Sequence, residues 1–146
     1  MNFQDQQLTP DQVTALTACM LSTAKIDGVQ AAETALIQQF YDGFKQAGML
    51  AFAELDKQAL DANVELSRVS TTPEFSDTLI SLCLLTGYAD GGLSQAERDH
   101  VLGFARAVGM NQEGFDAALM TVQDSLLGSL SHLPDAGSVA ALAKEL

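Results

Sequence analysis

Tryptophan is missing from the chain, which has only two cysteines, two histidines and three prolines. Each scarcity excludes something. Cys19 and Cys83 sit inside apolar helical patterns with no CxxC or Cys/His spacing, so no thiol metal motif is present and reduced, buried thiols are expected. His100 and His132 have no HxxxH companion and no neighbouring cysteine, so neither is assigned a metal or catalytic role. Cationic side chains are scarce too: seven Lys plus Arg stand against nineteen Asp plus Glu, a formal charge of -12. A surface of that sign repels phosphate backbones and anionic lipid headgroups, which argues against nucleic acid and membrane as partners. No apolar run of about 18 residues occurs, and Met1-Asn2-Phe3-Gln4-Asp5 forms neither a basic nor an apolar leader. A cytoplasmic protein is expected.

What is present is apolar and helix-forming. Hydrophobic residues make up 47% of the 146 positions, enough for one domain over residues 1–146 with a real core. Thr9-Pro10-Asp11 reads as a helix start, with a capping hydroxyl, a proline suited to the first helical position and an acid that complements the helix dipole. Val13, Leu16 and Met20 mark its buried face as far as about Lys25, where Ile26-Asp27-Gly28 breaks it. A second helix carries the stripe Leu36, Ile37, Phe40, Tyr41 and Phe44 and should end near Ala47-Gly48. Two short helices are expected between residues 49 and 71, around Phe52 and Leu55 and around Leu60, Val64 and Leu66. Thr72-Pro73-Glu74 repeats the first start signal, and the run Leu79 to Leu85 is apolar enough to make this the central helix. Asn111-Gln112-Glu113 caps a last main helix bearing Phe115, Leu119 and Val122. Leu126, Leu127, Leu130 and Leu133 suggest a short extension, with His132 in a loop and residues 138–146 as a final helix or frayed tail.

The most informative stretch is Tyr88-Ala89-Asp90-Gly91-Gly92-Leu93-Ser94-Gln95-Ala96-Glu97-Arg98. Asp-Gly-Gly stops a helix near Tyr88, and Ser94 followed by Glu97 has capping-box spacing for the next. The chain holds a second copy. With Asp27 laid on Asp90, Leu16 falls on Leu79, Met20 on Cys83 and Ala24 on Gly87. After a slip of one residue in the turn, Glu33 meets Glu97, Ile37 meets Val101, Phe40 meets Phe104 and Phe44 meets Val108. Two pseudo-repeated helical hairpins, about 10–48 and about 73–109, are expected.

The turns Ile26-Asp27-Gly28-Val29-Gln30-Ala31-Ala32-Glu33 and Ala89-Asp90-Gly91-Gly92-Leu93-Ser94-Gln95-Ala96-Glu97 resemble the duplicated aspartate-glycine and glutamate motifs of the tellurite-resistance protein B (TerB)-like family. That family includes the N-terminal domain of a membrane-anchored DnaJ-type co-chaperone. The resemblance covers roughly residues 10 to 125 and is better at the second turn, since the first is one residue short and has Gln30 where a short capping side chain is usual. It implies an all-α bundle of about seven helices, a role in tellurite or stress resistance, acidic turn residues that bind metal ions, and no established catalytic activity.

Two readings of the acidic residues follow. In one, Asp27, Glu33, Asp90 and Glu97 converge into an oxygen-lined site for calcium, magnesium or manganese, which such hard ligands suit better than zinc or copper. In the other, the aspartates only hold turns and the glutamates only cap helices. Convergence separates them, because four carboxylates within about 5 Å of one point need a cation or raised pKa values. The leading expectation is a non-enzymatic stress-response binding or scaffold module. A metal-dependent hydrolase using the same carboxylates and a co-chaperone-like interaction domain are the alternatives. The hydrolase lacks any HExxH or clustered His motif, and the co-chaperone reading lacks the His-Pro-Asp tripeptide. A protein partner or self-association through the stripe Phe40, Tyr41 and Phe44 is also expected.

Overall fold

The computed structural model describes residues 8–28, 30–58, 60–89 and 91–130, with Asp27 and 127–130 described by backbone alone. Among them are seven α-helices and no strand: α1 Pro10–Ala24, α2 Ala31–Phe44, α3 Phe52–Lys57, α4 Ala62–Ser67, α5 Pro73–Tyr88, α6 Gln95–Ala107 and α7 Gln112–Leu130, with a 3₁₀ turn at Lys25–Asp27. The fold is an all-α bundle.

Local chemistry sets most of the helix ends. The Gln12 N–H donates to Thr9 Oγ1 at 3.1 Å and the Thr9 N–H to Gln12 Oε1 at 2.9 Å, a closed box ahead of Pro10. Thr72 repeats the hydroxyl half, accepting from the Phe75 N–H at 3.2 Å ahead of Pro73. At the other end of α1, Gly28 takes φ 87°, which a side chain would make costly, and the helix cannot continue through it. The second helix stops earlier than its sequence suggests. Lys45 is already extended at ψ 134°, Gln46 Nε2 donates to the Leu8 carbonyl at 2.7 Å, and the Met49 N–H closes a turn on the Gln46 carbonyl at 3.1 Å. A tertiary hydrogen bond thus overrides local propensity by a few residues. Gly128 does not interrupt α7, so the expected extension is continuous helix to Leu130, whereas His132, Leu133 and residues 138–146 lie outside the described residues.

Helices α1 and α5 form the centre. From Val13 to Ala24 and from Phe75 to Gly87 nearly every side chain of each is buried. Buried hydroxyls there cost little, because Thr17, Thr23 and Thr86 each donate to the carbonyl four residues back at 2.8, 2.9 and 2.8 Å. Helices α2 and α4 lie on α1, and α6 and α7 lie on α5, while the crossed pairs α1–α6 and α2–α5 also touch. The one-and-a-half-turn helices α3 and α4 are too short to persist alone. They are anchored by Phe52 and Leu55 and by Ala62 and Leu66, while Val64 is exposed. The aromatic stripe of α2 is covered from within the chain. Phe40 and Tyr41 are buried, the Phe40 and Phe44 rings are 5.0 Å apart, and the Tyr41 hydroxyl donates to the Leu50 carbonyl. The stripe therefore does not offer the open surface that self-association was expected to use.

The close approach at the end of α5 yields a contrast between two glycines. A methyl group on Gly87 would collide with Leu93 Cδ1, whereas one on Gly103 would meet nothing within 4 Å. Gly103→Ala should stabilise the protein by about 0.5–1 kcal/mol through helix propensity. Gly87→Ala has to displace the end of the Leu93 side chain and should therefore gain less than Gly103→Ala, both read from urea midpoints.

Candidate functional site

The two turns place their glutamates alike. Glu33 and Glu97 are the third residues of α2 and α6, and each is turned inward, 1% and 2% exposed. The Gln30 N–H donates to Glu33 Oε1 at 2.9 Å, and the Ser94 N–H to Glu97 Oε1 at 3.0 Å. At the second turn Ser94 Oγ accepts the Glu97 N–H at 3.1 Å, closing the reciprocal box. Both carboxylates therefore sit at the positive end of a helix dipole with a backbone donor against one oxygen. Glu97 also borders α5: a Cβ on Gly87 would lie 3.8 Å from Glu97 Cδ. Its carboxylate is thus held between the start of α6 and the last turn of α5. Asp90 and the side chain of Asp27 lie outside the described residues, so the fourfold meeting of Asp27, Glu33, Asp90 and Glu97 has no geometry here. Among the described residues no three His, Cys, Asp or Glu side chains cluster at metal-binding distance.

One polar pair is not visible in any motif. Ser22 Oγ of α1 and His100 Nε2 of α6 are 2.7 Å apart, and the imidazole meets the Phe104 ring edge-on at 4.7 Å. The repeat register carries its only sequence signal. In the register of the expected repeat His100 aligns with Leu36 and Ser22 with Leu85, two apolar positions against two polar ones. This pair is not built as a hydrolytic dyad, because Ser22 lies inside α1, where backbone N–H groups are committed to the helix and cannot hold an oxyanion. Burial lowers the His100 pKa below its ordinary 6.5.

The two thiols are also withdrawn from chemistry. Cys19 and Cys83 are free and fully buried. Burial pushes the Cys83 thiol up to about 12, against a smaller opposing effect of a hydrogen bond with Thr23. Cys19 is raised further, by burial and then by the neighbouring Cys83. A thiol that does not ionise is neither nucleophile nor ready metal ligand.

No family model, no curated protein and no solved structure matches this chain.

Two expectations follow. Ellman's reagent should find no reactive thiol in the native protein and two after unfolding; prompt native reaction would contradict the burial. Acidification should weaken the Ser22–His100 link. The folded pKa lies below the unfolded value, so the neutral imidazole's contribution is complete above about 6.5 and is lost as pH falls through the lower folded value. The stability gap between the wild type and His100→Gln, from urea midpoints at pH 8, 6 and 5, should narrow steadily toward acid.

Proposed function

We propose that the chain is a non-enzymatic binding or scaffold module of the tellurite-resistance type, whose two acidic turns take up a divalent cation. The observation that carries this reading is the depth of Glu33 and Glu97. A helix cap needs one carboxylate oxygen near a backbone N–H, and such groups ordinarily keep the rest of the carboxylate in water. Here both are withdrawn from solvent at corresponding helix starts, and an ionised carboxylate in that position is costly unless positive charge offsets it. The helix dipole and the backbone donors favour the charged form, and a hard cation bound between the turns would add to them. The donor chemistry fits. Carboxylate oxygens are hard donors, suited to calcium, magnesium or manganese rather than to softer metals. Glu33 and Glu97 would hold the ion with Asp27 and Asp90 from the same turns, and the ion would supply charge compensation and rigidity between the two hairpins.

Kinship of the hairpins supports the pairing of the turns. Besides the aligned apolar positions, Thr9-Pro10 falls on Thr72-Pro73 and Thr23 on Thr86, and the two members of each pair do the same work, as helix starts and as buried hydroxyls bonded four residues back. If the two hairpins are related halves about one central helix pair, their turns would occupy related positions.

Calorimetry and thermal shift with calcium, magnesium and manganese, with zinc for comparison, test the proposal. At least one hard cation should raise the melting temperature, and Glu97→Gln and Glu33→Gln, which keep a cap acceptor but remove the charge, should weaken binding about tenfold or more. No response to any cation, or a response indifferent to both substitutions, would sink it.

A further inference from the structure

Aspartate followed by glycine is prone to rearrange its own backbone, because glycine puts no side chain in the way of ring closure. The chain carries three such pairs, Asp27-Gly28, Asp42-Gly43 and Asp90-Gly91. What separates them is the setting of the glycine nitrogen, which must leave its hydrogen bond before it can act as a nucleophile.

Gly43 is exposed, but it lies inside α2, where its N–H is a helix donor and the ladder continues past it to the Lys45 N–H on the Tyr41 carbonyl at 2.8 Å. Gly91 is half-buried, and its N–H donates to the Tyr88 carbonyl at 3.0 Å. Gly28 differs from both. It is exposed, and its N–H reaches the Lys25 carbonyl at 3.5 Å, past the usual range of a hydrogen bond. That contact closes the three-residue 3₁₀ turn Lys25–Asp27, and the backbone then leaves at φ 87° and ψ 133°. Among the described residues no atom would lie within 4 Å of a Cβ on Gly28, so nothing crowds the turn. A single turn closed by a long hydrogen bond opens at little cost, whereas an internal helical donor is released only when several bonds of α2 break together.

We propose that Asp27-Gly28 is a site of spontaneous isoaspartate formation, selected from the three pairs by its open turn. The Gly28 nitrogen attacks Asp27 Cγ and a C–N bond forms. One carboxyl oxygen leaves as water, taking the amide proton and the carboxyl proton, and a five-membered succinimide remains. Water then adds to one of the two ring carbonyls and a C–N bond breaks. Opening at Cγ restores aspartate, and opening at the backbone carbonyl leaves the chain running through Cγ with a free α-carboxylate. No oxidant or second substrate enters, and the product has the mass of the starting chain. The α1–α2 connection is then one backbone atom longer, and the carboxylate of the first acidic turn stands on a shorter arm.

Incubation of the full chain at neutral pH for several weeks, native and in urea, tests this. Trypsin releases residues 26–45 as one peptide carrying both Asp27-Gly28 and Asp42-Gly43, and residues 69–98 as another carrying Asp90-Gly91. Isoaspartate in each is counted by methyl transfer with an isoaspartyl methyltransferase and located by resistance to an endoproteinase that cuts before aspartate. In the native chain Asp27 should convert about tenfold faster or more than Asp42 and Asp90, and in urea the three rates should fall within about threefold of one another. Asp27→Glu, whose longer side chain closes a ring far more slowly, should remove the native signal from the 26–45 peptide. No conversion at Asp27 in the native chain, equal native rates at the three positions, or the same preference for Asp27 in urea as in the native chain would overturn the assignment.

Discussion

Because α1 and α5 are buried against one another and on almost every other side, neither can turn to present a different face, and the remaining helices take their positions from them. Two properties of the sequence make this possible. Ala15, Ala18, Ala24 and Gly87 keep parts of the surfaces small, and the threonines buried among them direct their hydroxyls back into their own helix. A helix buried on all sides carries little amphipathic pattern. The regular stripes belong instead to α2 and α6, which cover the central pair from outside with Ile37, Phe40 and Tyr41 and with Val101, Phe104 and Ala105.

The acidic turns are consequences of the same arrangement. Each central helix ends and hands the chain to a covering helix packed against it, and the glutamate that starts the covering helix is buried in both cases. Glu97 shows the result most clearly, since its carboxyl carbon lies within van der Waals reach of where a Gly87 side chain would begin. Depth here is imposed by tertiary packing. The cap by itself asks only for the third helical position and a backbone donor, which Glu33 and Glu97 both have.

What could be read from the chain was what local chemistry decides. Thr9-Pro10, Thr72-Pro73 and Ser94 with Glu97 mark helix starts because the capping atoms lie within three residues of the backbone groups they satisfy. Asp-Gly marks the stops because glycine alone enters the left-handed region cheaply. The failures have the opposite cause. The second helix ends at Phe44 because Gln46 reaches Leu8, a residue far away in sequence. The burial of Phe40 and Tyr41, with the Tyr41 hydroxyl on Leu50, depends on where α3 folds back. The Ser22–His100 contact depends on the crossing of α1 and α6, which no local motif records. The open cleft beside Ser76, between the start of α5 and the α6–α7 junction, left no mark in any motif, because its walls come from the start of one helix and the junction of two others.

The two ends of α5 have thereby acquired different chemistry from one constraint. At its C-terminal end the chain returns along the helix at once, the turn is short, and the acid that starts the next helix is enclosed. At its N-terminal end the neighbouring segment is not the next in sequence but the α6–α7 junction, which Gly109 bends away from the helix. The space it leaves is bordered by Ser76, a residue of the buried face, and by Asp77, a residue of the exposed one.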